Sequence, residues 1–145
     1  MPYIKIWIHL IWATKNRLPL LNNDIKSKIF EHIRINAKQK SIYLDFINGC
    51  SDHVHALISM NADQSISKIA QLLKGESSHW INKNQLVKEH FAWQEEYIAV
   101  SVSYNGIDNV REYIKNQENH HRQKSFSEEW NLFIEKYGFE VLKKL

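Results

Sequence analysis

From Tyr3 to Thr14 the chain runs through β-branched and aromatic side chains with Lys5 and His9 interspersed, the composition of a long strand, which ends at Lys15-Asn16-Arg17 before Pro19. After the cluster Asn22-Asn23-Asp24, whose side chains suit a helix N-cap, Ile25, Ile29 and Ile33 recur every four positions and predict an amphipathic helix to near Lys40. Residues 42–50 and 53–60 are both β-rich, and the turn chemistry between them predicts an antiparallel hairpin. Ile66, Ile69, Ala70, Leu73, Ser77, Trp80 and Ile81 keep helical spacing, although Gly75 costs such a helix about 1 kcal/mol against Ala. Residues 82–94 are polar and poorly periodic, whereas residues 97–104 alternate as a fourth strand does. Past Asn105-Gly106, Ile107, Val110 and Ile114 form one stripe of a third helix, expected to reach about His121. Trp130, Phe133 and Ile134 place a short last helix over residues 127–137, before a basic end at Lys143 and Lys144.

The order β-α-β-β-α-β is the split βαβ arrangement. An α+β, ferredoxin-like (RRM-like) fold follows: a four-stranded antiparallel sheet with two helices packed on one face, the other face free, and a third, C-terminal helix appended. The expected division is a functional domain over residues 1–125 and a peripheral helix and tail over residues 126–145. At 145 residues the chain holds one core.

Composition changes this picture little. Hydrophobic residues at 43% with 4 Gly and 2 Pro exclude collagenous and disordered classes. A formal net charge of +3 permits an anionic partner without the excess of a histone-like binder. The single Cys50 forms no internal disulfide and is expected to be a buried small hydrophobe. The longest apolar run is far shorter than the roughly 20 residues of a membrane span, and the start lacks a secretion signal, so a cytoplasmic protein is expected. No Gly-rich phosphate loop, Cys-x-x-Cys pair or Gly-x-Ser-x-Gly elbow occurs, which argues against nucleotide hydrolysis, a zinc ribbon and esterase chemistry. His9, His32, His79 and His90 are isolated along the chain and are assigned to the surface.

Two constellations carry chemistry. In His53-Val54-His55 the two imidazoles share one face of a strand, about 6.5–7 Å apart along the backbone. They can serve a first-row divalent metal, or simply decorate a partly solvated face. In the third helix, Tyr113 and Gln117 stand four residues apart on one face, with His120 and His121 beyond. A phenol with its usual pKa near 10 attacks a phosphodiester only when deprotonation is assisted and charge on the phosphate is stabilised. Gln117 is a candidate third metal ligand, Glu118 or His120 its substitutes, and Asp52 a partner that orients a histidine.

Taken together, Asp52-His53-Val54-His55-Ala56-Leu57-Ile58 and residues 110–121, Val110-Arg111-Glu112-Tyr113-Ile114-Lys115-Asn116-Gln117-Glu118-Asn119-His120-His121, resemble the single-tyrosine HUH transposases of the IS200/IS605 family. The likeness extends to Leu10-Ile11-Trp12-Ala13-Thr14-Lys15-Asn16-Arg17, to Leu72-Leu73-Lys74-Gly75 and to Glu95-Glu96-Tyr97, covering roughly residues 3–125. It implies a dimeric nuclease and strand transferase acting on single-stranded DNA at hairpin-bearing element ends. Tyr113 would form a 5′-phosphotyrosine bond and free a 3′-OH, while His53, His55 and Gln117 would hold one Mg²⁺ or Mn²⁺. In the family the tyrosine helix commonly comes from the other subunit; this sequence leaves open whether Tyr113 acts in cis or in trans.

Lys15, Arg17, Lys74, Arg122 and Lys124 are the candidates for phosphate contacts, and Glu76 departs from the basic residue of many relatives. Two alternatives remain: a host-adopted hairpin DNA- or RNA-binding protein on the same scaffold with little or no transposition activity, and a metal-dependent hydrolase with water as nucleophile in which Tyr113 only packs.

Overall fold

The first apolar run forms β1 (Ile6–Thr14), which sits in the middle of the sheet because it can bury both of its faces. It pairs antiparallel with β3 (His53–Met60) on one side and β4 (Trp93–Val102) on the other, and β2 (Tyr43–Gly49) lies outside β3. The strand order β2-β3-β1-β4 is that of the expected ferredoxin-like fold. This computed structural model describes residues 1–138, apart from the side chains of His120, Arg122 and Gln123. Lys143 and Lys144 lie outside the described residues. Among the described residues no helix is long and apolar enough to cross a membrane.

Alternation along β1 divides the molecule. Leu10 and Trp12 face α1 (Asn23–Gln39) and α2 (Ile66–Lys83), where Ile29, Ile33, Ile69, Leu73 and Ile81 complete the main core with Val54, Ala56 and Ile58 of β3. Asn22 starts α1 by accepting from the amides of Asp24 and Ile25, and Ser65 starts α2 by accepting from Lys68. Trp12 is fully buried and meets Trp93 edge to face. Trp12→Ala is therefore expected to lower stability by about 3–5 kcal/mol in urea unfolding, with the slope of the transition unchanged.

The opposite face is not free, as the strand pattern alone suggested. Ile11, Ala13, Leu57, Ile98 and Val100 make it apolar as well, and a second helical layer covers it. This layer consists of α3 (Ile107–Lys115), α4 (Gln117–Gln123) and α5 (Phe126–Tyr137). Ile107 and Ile114 pack on Leu57, while Phe126, Trp130, Phe133 and Ile134 pack on Ile11, Ala13, Ile98 and Val100. The segment from residue 126 is thus no peripheral appendage up to Tyr137; it is the lid of the second core. The expected single helix to His121 is also two, interrupted at Asn116 (φ −93°, ψ 21°). The fourth strand begins at Trp93, four residues earlier than its alternation indicates. A register shift between Trp12 and Thr14 masks the pattern, and the Trp93 indole donates to Ser77 Oγ at 2.8 Å.

The hairpin that leads into β3 is unusually close. A Cβ on Gly49 would lie 2.2 Å from the backbone oxygen of His53, so a residue without a side chain is required where β2 meets the start of β3. Cys50 N donates back to that same oxygen at 3.1 Å.

Candidate active site

His53 and His55 project from β3 toward the second helical layer, and both are fully buried. The Nδ1–H of His53 donates to Asp52 Oδ1 at 2.8 Å, and its ring stacks on Phe126 with centroids 4.1 Å apart. His55 is held on both sides: Nδ1 shares a 2.8 Å hydrogen bond with Nε2 of His9, and Nε2 lies 2.9 Å from Glu129 Oε1. His9 is therefore not on the surface. It is 3% exposed and stands on the same sheet face as His55, one strand away.

Tyr113, at the end of α3, and Gln117, at the start of α4, bring the other components. The Gln117 Nε2 donates to the backbone oxygen of Tyr113 at 3.1 Å, which leaves Oε1 facing His53 Nε2 at 3.2 Å. The Tyr113 hydroxyl donates to Glu129 Oε2 at 2.5 Å. His121 Nε2 approaches that same oxygen to 3.3 Å, and its ring lies 4.4 Å from that of His53. From β2, Asn48 Nδ2 donates to the backbone oxygens of Ile114 and Lys115 at 3.0 and 3.2 Å, tying the exposed carbonyls at the α3 terminus to the sheet.

Cys50 lies half-buried beside this junction and donates to the Gln117 backbone oxygen at 3.5 Å, so it is less enclosed than the sequence suggested. Burial pushes its thiol up to about 11. At pH 8 its alkylation by iodoacetamide is accordingly expected to run roughly 100-fold slower than that of an ordinary exposed cysteine, as mass spectrometry over time would read.

Glu129 is the electrostatic centre. Burial alone would raise its pKa, but the adjacent His121 imidazole and hydrogen bonds from His55 and Tyr113 outweigh this and hold the carboxyl well below the usual range. The same carboxylate, after burial, pushes the Tyr113 phenol upward, so the ground state is a neutral phenol beside a charged acceptor. Burial brings His55 down to about 4, keeping the imidazole neutral at physiological pH. His9 is lowered for the same reason, whereas Glu129 overcomes burial at His121 and raises it.

The donor set fits a divalent cation. Nδ1 of His53 donates to Asp52, so in the metal-binding form of the ring the Nε2 lone pair faces Gln117 Oε1, itself an acceptor. A cation satisfies both atoms. Two ligands at about 2.1 Å and a right angle lie about 3.0 Å apart, close to the observed 3.2 Å. The ligand atoms of His53, His55 and Glu129 also lie within 4.8 Å of one another.

Residues 3–117 match the family model described as "Transposase IS200 like". The chain belongs to the IS200-like transposase family. A curated relative, the ISDra2 transposase TnpA of Deinococcus radiodurans, is 28% identical over 114 residues, 75% of this chain and 81% of its own. A crystal structure described as a transposase from Deinococcus radiodurans R1 aligns with a TM-score of 0.65 and 26% identity, over 80% of this chain and 93% of that one. A REP-associated tyrosine transposase bound to a REP hairpin shares the fold, with a TM-score of 0.63 at 17% identity over 83% of this chain and 72% of that one.

In this member of the IS200-like family the proposed residues His53, His55, Tyr113 and Gln117 converge, and Asp52 reaches His53 as expected. Glu118 does not substitute for Gln117, because it points outward and pairs with Lys26 at 3.0 Å. The side chain of His120 lies outside the described residues, as does that of Arg122. Arg17 lies over the rings of Phe126 and Trp130 and donates to Ser127 Oγ at 2.5 Å, anchoring α5 to the end of β1. Lys74 donates to the Glu95 backbone oxygen at 2.9 Å, while Lys15 is exposed. His32 is not isolated: it stacks on Trp80 at 3.9 Å and contacts both oxygens of Glu76 at 2.8 Å, which explains an acidic residue at that position.

Sequence reasoning missed His9 and Glu129, and took His121 only as a neighbour of the helix face. A signal for Glu129 existed. It falls three residues after Phe126 and four before Phe133, on the stripe that covers the sheet, where a carboxylate is out of place unless partnered.

Proposed function

We propose that this transposase cleaves and rejoins single-stranded DNA at hairpin-bearing element ends through a 5′-phosphotyrosine intermediate, with Tyr113 as nucleophile and Mg²⁺ or Mn²⁺ held by His53, His55 and Gln117. The observation that carries the reading is the convergence of one phenol, two buried imidazoles and one oriented amide oxygen within a single chain. When bound, the ion supplies charge stabilisation at the scissile phosphate.

The residues divide the remaining work. Asp52 and His9 hold the imidazoles through Nδ1, so that each Nε2 points to the centre. Glu129 Oε2 aligns the phenol by accepting its hydrogen bond; the phenol's proton passes to solvent as the Tyr113 oxygen bonds to phosphorus and the P–O3′ bond breaks, and the departing 3′-oxygen takes a proton from solvent. Bond energy is kept in the phosphotyrosine, so a different 3′-OH can reverse the attack without a nucleotide cofactor. An open cavity of about 280 Å³, lined by Tyr113, Glu129, Phe133, Lys124 and Lys136, adjoins the phenol and suits a DNA backbone. The assembly expected is a homodimer, in which the Tyr113 helix serves either its own subunit, where its hydroxyl meets Glu129, or the centre of the other subunit.

The test is incubation with Mg²⁺ or Mn²⁺ and single-stranded DNA bearing the element end. A protein–DNA adduct that survives denaturation, and is released when a 3′-OH strand is added, is expected. Cleavage with no adduct at any time would overturn the reading.

A further inference from the structure

The geometry points to Glu129 as a fourth, anionic ligand of the metal centre, supplied by α5 from beyond the stretch that matches the family model. This inference rests on the metal site proposed above and extends it. The imidazoles and the Gln117 amide are neutral donors, whereas a hard divalent cation favours charged oxygen. Glu129 Oε1 lies 2.9 Å from His55 Nε2 and 3.7 Å from His53 Nε2, and Gln117 Oε1 lies 3.2 Å from the latter. These spacings bracket the roughly 3.0 Å edge between adjacent ligands on a small octahedral ion. Oε1 can therefore bind the ion while Oε2 keeps the Tyr113 hydroxyl, tying nucleophile and ion together through one carboxylate.

The carboxylate is also firmly placed. Ser125 Oγ accepts from Glu128 N to start α5, Phe126 and Trp130 pack on the sheet, and Arg17 holds Ser127. Glu129 is 5% exposed, so its carboxylate is presented to the histidines rather than to water. His121 stands behind Oε2 at 3.3 Å, the kind of outer partner that orients a ligating carboxylate. Metal binding would turn the proton of His55 to Nδ1, where His9 Nε2 accepts it at the observed 2.8 Å, freeing Nε2 as a ligand.

The experiment measures Mn²⁺ affinity by calorimetry and by the loss of the free-ion paramagnetic resonance signal, without DNA or turnover. The full chain is compared with Glu129→Gln and His53→Ala, each checked for folding by circular dichroism. Glu129→Gln keeps the shape and removes the charge, and a loss of about 10–100-fold in affinity is expected. His53→Ala is expected to lose the site altogether. Wild-type affinity in Glu129→Gln, with binding lost in His53→Ala, would overturn the Glu129 assignment and leave the imidazole site standing. Wild-type affinity in His53→Ala would overturn both. Should Glu129→Gln fail to fold, crystals of the unaltered protein soaked in Mn²⁺ decide: anomalous density bonded to a Glu129 oxygen supports the assignment, and an ion held without it overturns it.

Discussion

Tyr113→Phe is expected to abolish the covalent adduct and to lower strand cleavage by about three orders of magnitude or more, because the substitution deletes the one atom that bonds to phosphorus. The ring itself stays among His9, His55 and Phe133, so packing and DNA binding should hardly change. Loss of the hydroxyl also removes one hydrogen bond from Glu129, which retains His55 and His121. Denaturing electrophoresis of labelled single-stranded DNA reads adduct and cleavage separately. Persistent cleavage in the variant would make water the nucleophile and the protein a metal-dependent hydrolase.

His53→Ala and His55→Ala should likewise reduce cleavage by about three orders of magnitude, since each removes a proposed ligand from a fully enclosed position. The two differ in stability. His55→Ala strips Glu129 of a partner at 2.9 Å and breaks the contact to His9, so a buried charge loses compensation and about 3 kcal/mol of folding free energy is at stake. His53→Ala leaves Asp52, which is partly exposed, to water and should cost less. Cleavage assays beside thermal unfolding curves and a hairpin-binding titration separate the effects. Unchanged cleavage in either folded variant would refute the ligand assignment.

The sheet was largely legible from residue order because β-branched and aromatic runs bounded by turn residues mark the strands, and His-x-His on β3 fixes both imidazoles on one face whatever surrounds them. The covering of that face was not. Ile11, Ala13, Ile98 and Val100 each fall on a strand whose other side is also apolar, so no polar face marks what a second layer must hide. His9 and His55 stand 46 positions apart, and only strand register brings them together. Glu129 was obscured by its neighbour Glu128, which makes the pair look like a solvated helix start, although Glu128 is exposed and Glu129 is enclosed. The interruption at Asn116 escaped because residues 107–121 contain neither Pro nor an internal Gly to signal it.

The two sides of β1 have consequences for inheritance. Folding strength resides chiefly with α1 and α2, while the reacting groups occupy the reverse side, so a lineage can lose Tyr113 and still produce an intact domain.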